Sequence, residues 1–96
     1  MKTFENKQTD LNSETGKARY ADLALTCLNQ PPQGGYTPVE MNKRLRVVKV
    51  MEGHKESDTI DLEDQDAETL KQAVANARWM ILKTDIAEFN NHVESL

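Results

Sequence analysis

Thr59-Ile60-Asp61-Leu62-Glu63-Asp64-Gln65-Asp66-Ala67 is the stretch on which the fold turns. Its first four residues alternate polar and apolar, the period of a half-buried strand, and then a carboxylate-rich run opens a helix. A lone strand cannot stand by itself. It must pair with the N-terminal segment, with Arg46-Val47-Val48-Lys49-Val50, or with its own copy across a dimer axis. The rest of the chain reads as helices, so the expected architecture is mainly α. It has about four helices, a flexible N-terminal arm over residues 1–16, and one short strand or extended segment between the second and third helices. Residues 17–96 form a single small helical domain.

Downstream of this stretch, Asp64 or Asp66 caps a long helix. Ala67, Leu70, Val74, Ala77 and Ile81 fall at spacings of three and four, with Ala73 and Met80 beside them. Thr84 or Asp85 caps the last helix, whose stripe is Ile86, Phe89, Val93 and Leu96. Upstream, Thr37-Pro38-Val39-Glu40 supplies a hydroxyl at N-cap, proline at the first helical position and glutamate at the third. Tyr36 and Met41 sit where a hydrophobic staple would form. Met41, Leu45, Val48 and Met51 continue one face to Gly53. The rival reading makes Val47–Val50 a strand, paired with Thr59–Leu62 through Gly53-His54. A further helix is expected from Lys17 to Asn29, with Tyr20, Leu23, Ala24, Cys27 and Leu28 inward and Pro31-Pro32 as its stop. Residues 1–16 hold only Phe4 and Leu11 as large apolar groups after Met1. That composition does not by itself offset the entropy of ordering a backbone.

The 96 residues carry 12 basic and 16 acidic side chains, a net charge of -4, unevenly spread. Residues 40–55 hold Lys43, Arg44, Arg46, Lys49 and Lys55 against Glu40 and Glu52. Residues 56–68 hold seven carboxylates and no base. A basic block thus runs directly into an acidic one. Both the sign of the net charge and the lack of any long apolar run argue against a dedicated nucleic-acid coat or a membrane protein. No apolar run follows the first lysine, so no secretory signal is expected and the cytoplasm of a bacterial host cell is the expected location. Cys27 is the only cysteine, which excludes an intramolecular disulfide.

Candidate sites follow from the charge pattern. Asp58, Asp61, Glu63, Asp64, Asp66 and Glu68 form an acidic surface suited to a basic partner. An EF-hand loop is excluded, because a register from Asp61 puts Asp66 sixth and Gln72 twelfth, and one from Asp64 puts Thr69 and Ala75 there. Neither metal nor cofactor is expected. Lys43, Arg44, Arg46 and Lys49 are the alternative, a nucleic-acid contact on a dimeric regulator. The strand–helix–helix order from Thr59 to Leu96 also fits a ribbon-helix-helix repressor, but its outward Thr59 and Asp61 would set a carboxylate among phosphates. Trp79 lies off the stripe of its helix and either closes the core from the side or serves as an exposed anchor. Neither His54 nor His92 is placed beside Cys27 by a local motif, so no nucleophile is assembled and no enzyme is expected.

Gly35-Tyr36-Thr37-Pro38-Val39-Glu40-Met41 with Lys43–Val47, and Ile60–Asp64 leading into Ala67–Trp79, resemble parts of small accessory proteins encoded by tailed bacteriophages and prophages. The two segments span about half of the chain. The resemblance implies a viral setting and a protein that works by contact, as an inhibitor of a host enzyme or defence system, a regulator, or a virion assembly part. It carries over no catalytic or binding residue. With few aromatics in a short chain, a homodimer sharing core surface is the expected state.

Overall fold

The computed structural model describes residues 1–13 and 16–96. Its elements run β1 (Lys2–Glu5), β2 (Gln8–Ser13), β3 (Gly16–Arg19), α1 (Tyr20–Leu28), α2 (Pro38–Gly53), β4 (Thr59–Leu62), α3 (Asp64–Asn76) and α4 (Thr84–Glu94). The fold is α+β, with four helices and four strands in two antiparallel pairs, and this corrects the mainly α expectation. Of the three partners open to Thr59–Leu62, the first is the one found. β1 pairs with β4, Phe4 opposite Ile60 and Lys2 opposite Leu62. Phe4, Ile60 and Leu62 are all buried, so the alternation seen in β4 has its counterpart in β1.

The N-terminal segment is therefore not an arm. Its composition is as polar as it looked, but two buried side chains at alternate positions tie it down. Phe4 enters the core, and Asn6, 1% exposed, spends its whole amide on backbone. Asn6 Nδ2 donates to the carbonyls of Lys55 and Ser57, both at 2.8 Å, while Oδ1 accepts from the Ala21 amide at 2.8 Å. That last bond caps the first turn of α1 from outside the helix, satisfying an otherwise orphaned N–H. The boundary expected after residue 16 falls inside β3, and Lys17–Arg19 is strand where helix was expected. Glu14 and Thr15, part of the expected arm, lie outside the described residues. Pairing of β2 with β3 shifts register between Gln8 and Asn12. At that irregularity Thr9 Oγ1 donates to the Ala18 carbonyl and accepts from the Leu11 amide.

α2 starts where the capping signal places it, with Thr37 Oγ1 accepting from the Glu40 amide and Pro38 as the first helical residue. The hairpin reading of Val47–Val50 is excluded. The helix is rotated from the expected stripe, however: Arg44, Val47 and Met51 are buried, whereas Met41 and Leu45 are about half exposed. Arg44 explains the rotation. Its guanidinium donates to the carbonyls of Cys27, Leu28 and Gln30 at the end of α1. It also pairs with Glu40 at 3.1 Å and lies 5.2 Å from the centre of the Tyr36 ring. Terminal carbonyls of a helix lack intrahelical donors, and Arg44 supplies them.

α3 buries Ala67, Leu70, Ala73 and Val74 as its spacing predicts, but it ends at Asn76 rather than running through Ile81. The stop comes from a distant side chain. Gln30 accepts from the Arg78 amide at 2.9 Å and donates to the Arg78 carbonyl at 3.1 Å, holding that residue by both backbone groups as a neighbouring strand would. α4 buries Ile86, Phe89 and Val93. Phe4, Tyr20 and Phe89 meet edge-on or tilted at the centre of the core, with ring centroids 5.3 to 6.5 Å apart. Cys27 is fully buried on α1, and burial pushes its thiol up to about 12. No helix among the described residues is long and apolar enough to cross a membrane.

Candidate functional site

The acidic stretch divides into residues that face solvent and residues committed to the fold. β4 turns Thr59 and Asp61 outward, and β1 adds Glu5 and Thr3 to the same ribbon face. Asp61 accepts a hydrogen bond from Thr3 Oγ1 at 3.2 Å. Glu63 is the N-cap residue of α3, Asp64 opens the helix, and Glu68 follows one turn later. All three are exposed at the end of the helix whose dipole favours negative charge.

Three of the six predicted carboxylates have internal partners. Asp58 pairs with Arg19 at 3.0 Å, although its own side chain is 98% exposed. Asp64 lies 3.3 Å from the amine of Met1. Asp66 is buried and pairs with Arg46 at 3.5 Å, so it belongs to the α2–α3 contact and not to an outer surface. Asp61, Glu63 and Glu68 form no ion pair among the described residues. Glu5, which sequence reasoning left inside an arm, joins the ribbon face and pairs with Lys7 at 3.4 Å. The signal that could have placed it is the alternation of Phe4 with Thr3 and Glu5, read as strand.

The basic set does not converge on one surface. Arg44 is inside the protein, and Arg46, about half exposed, is paired with Asp66, which leaves Lys43 and Lys49 as the exposed bases of the set without an ion pair among the described residues. Trp79 is half-buried against the core, and its Nε1 is buried without a hydrogen-bond partner among the described residues. Those residues contain no group of three or more His, Cys, Asp or Glu side chains arranged to hold a metal ion.

His92 is a partly buried titratable group that ties α4 to β1. Its Nε2 accepts the Glu5 amide at 2.9 Å, and its ring lies 5.5 Å from Phe4 and 5.8 Å from Tyr20. Burial lowers its pKa, opposed by Glu5 and assisted by Lys7. The neutral ring is the form that can accept this bond. It caps the edge of β1 turned away from β4.

Comparison with protein-family models, with curated proteins and with solved structures gave no match.

Proposed function

We propose that this protein acts by contact, not by catalysis, binding a basic surface of a host or viral protein through the face formed by β1, β4 and the start of α3. In the phage setting that the sequence resembles, such a protein would occupy a groove that otherwise holds nucleic acid and so inhibit its owner. One observation carries the reading. Asp61, Glu63 and Glu68 are exposed on adjoining parts of the surface, form no ion pair among the described residues, and lie in a stretch without a single lysine or arginine. A surface on which carboxylates outnumber bases speeds association with an oppositely charged partner and selects against like-charged ones. The regulator reading loses support, because Arg44 is buried on the carbonyls at the end of α1 and Arg46 is paired with Asp66.

The test compares the tagged wild-type chain with a variant carrying Asp61→Asn, Glu63→Gln and Glu68→Gln. Both are used to capture proteins from nuclease-treated bacterial lysate at two salt concentrations. Near-stoichiometric recovery of one basic protein by the wild type, lost in the variant and at the higher salt, is the expected result. Recovery unchanged by the three substitutions overturns the assignment of this face.

A further inference from the structure

β1 and β4 make a sheet of two strands, so each has one edge without a strand partner. The ladder settles which groups face those edges. Asn6 donates to the Asp58 carbonyl at 2.9 Å, and the register sets Phe4 opposite Ile60 and Lys2 opposite Leu62. The even-numbered residues are therefore the bonded pairs. The backbone N–H and C=O of Thr3, Glu5, Thr59 and Asp61 point away from the partner strand.

Unpaired strand amides are a liability, and this fold caps two of them with side chains of α4. His92 Nε2 accepts from the Glu5 amide at 2.9 Å, and Asp85 Oδ2 accepts from the Asp10 amide of β2 at 3.0 Å. The β4 edge has no such cap. Among the described residues, the backbone N–H and C=O of Thr59 and Asp61 bond to nothing within the chain, and both residues are exposed. Two donors and two acceptors in a row at strand spacing are the template for one more extended backbone.

Charge decides which backbone. The outward face of the ribbon carries Glu5 and Asp61 and no base. Glu63 follows two residues beyond Asp61 with φ -59° and ψ 151°, close to polyproline II values, so the chain there is still extended. Glu5 is paired with Lys7, whereas Asp61 and Glu63 have no ion pair among the described residues. A second copy offering its own β4 would bring two rows of carboxylates together, and like charges on neighbouring strands repel. A segment with Lys or Arg at every second position is attracted instead, and its period matches that of the row.

We infer that the β4 edge is a strand-addition site whose occupant is an extended segment of the partner with bases at alternate positions. The inference rests on the acidic-face reading above and adds the manner of binding. The partner's main chain bonds along Thr59 and Asp61, and successive bases meet Asp61 and Glu63. Main-chain bonds supply the affinity and the alternating side chains the selection.

The test titrates the full, isotope-labelled chain with a capped peptide of alternating lysine and threonine, followed by amide resonances. Two further peptides carry N-methyl groups on every second residue, one along each edge of the strand. The parent peptide should bind at low salt and protect the Thr59 and Asp61 amides from exchange. One methylated peptide should bind about 10-fold or more weakly and the other like the parent, because each loses its main-chain donors on a single edge. Asp61→Asn with Glu63→Gln should weaken the parent about 5-fold, and both side chains are exposed, so this variant should melt like the wild type. Two methylated peptides that bind like the parent, with the charge variant still weaker, overturn strand addition and leave the acidic face standing. Failure of the parent to bind overturns the inference alone, because the lysate capture tests the face separately. Binding that the charge variant leaves unchanged overturns both.

Discussion

Residues 2–13 and residues 77–83 invert each other. The first segment is polar, with two large apolar side chains, and is held to the core by its buried Phe4, Asn6 and Thr9. The second is Ala-Arg-Trp-Met-Ile-Leu-Lys, apolar enough to be taken for the end of a core helix, and it lies at the surface with Met80 and Leu82 in water. What separates them is the fate of their polar groups. Asn6 satisfies three backbone groups from two other parts of the chain, so its burial costs little and locks the strand in place. In the second segment Gln30 captures both backbone groups of Arg78, the helix ends at Asn76, and the apolar residues beyond it lie outward. Average hydropathy describes neither outcome.

The contrast can be broken at its strongest point first. Phe4→Ala should cost about 3–5 kcal/mol in chemical denaturation, the loss for a large aromatic removed from a core. A flexible arm would show no change. Asn6→Ala comes next, at about 2–3 kcal/mol, because the amide of Ala21 and the carbonyls of Lys55 and Ser57 lose their partner together. Hydrogen exchange at the Ala21 amide should accelerate in the same variant.

Acid sharpens the comparison from the side of α4. The folded pKa of His92 lies below its ordinary value of 6.5, so the unfolded chain binds the proton more readily. Its contribution to stability is fully present above that value and is lost as pH falls through the lowered folded pKa. The melting temperature of the wild type should therefore drop between pH 7 and pH 5 by more than that of a His92→Gln variant. Parallel profiles would remove His92 from the account of how β1 is held. The smallest effect belongs to the second segment, where Leu82→Ser should change stability by no more than about 0.5 kcal/mol.

Much of this fold is legible in local sequence where the forces are local. Thr37-Pro38-Val39-Glu40 starts α2 because the cap and the amide it satisfies lie three residues apart. Ile86, Phe89 and Val93 define the inner face of α4 because one helical period sorts them. Legibility fails where a partner comes from far along the chain. The strand character of β1 depends on β4, whose Asp61 lies 58 residues beyond Thr3. The inner face of α2 is missed because Arg44, which any charge pattern turns to solvent, is drawn inward by carbonyls that the end of α1 leaves open. The same limit divides the acidic run. Its sequence shows seven equal carboxylates, but Arg46 takes Asp66 out of the surface and Arg19 takes up Asp58.

The bond between the Glu5 amide and His92 Nε2 joins residues 87 positions apart, and it bears on the order of events at the ribosome. β1 is made first, yet both elements that flank it, β4 and α4, are made late. The segment around Phe4 must therefore wait, uncovered, until β4 and α4 have been made. Contacts of such long sequence separation slow folding, and helices with local contacts form ahead of them. The expected sequence of events is early pairing of α1 with α2, and closure of β1 only after α4 has left the exit tunnel. For that interval the chain is most open to chaperones and proteases, and its survival depends on how soon β4 and α4 follow.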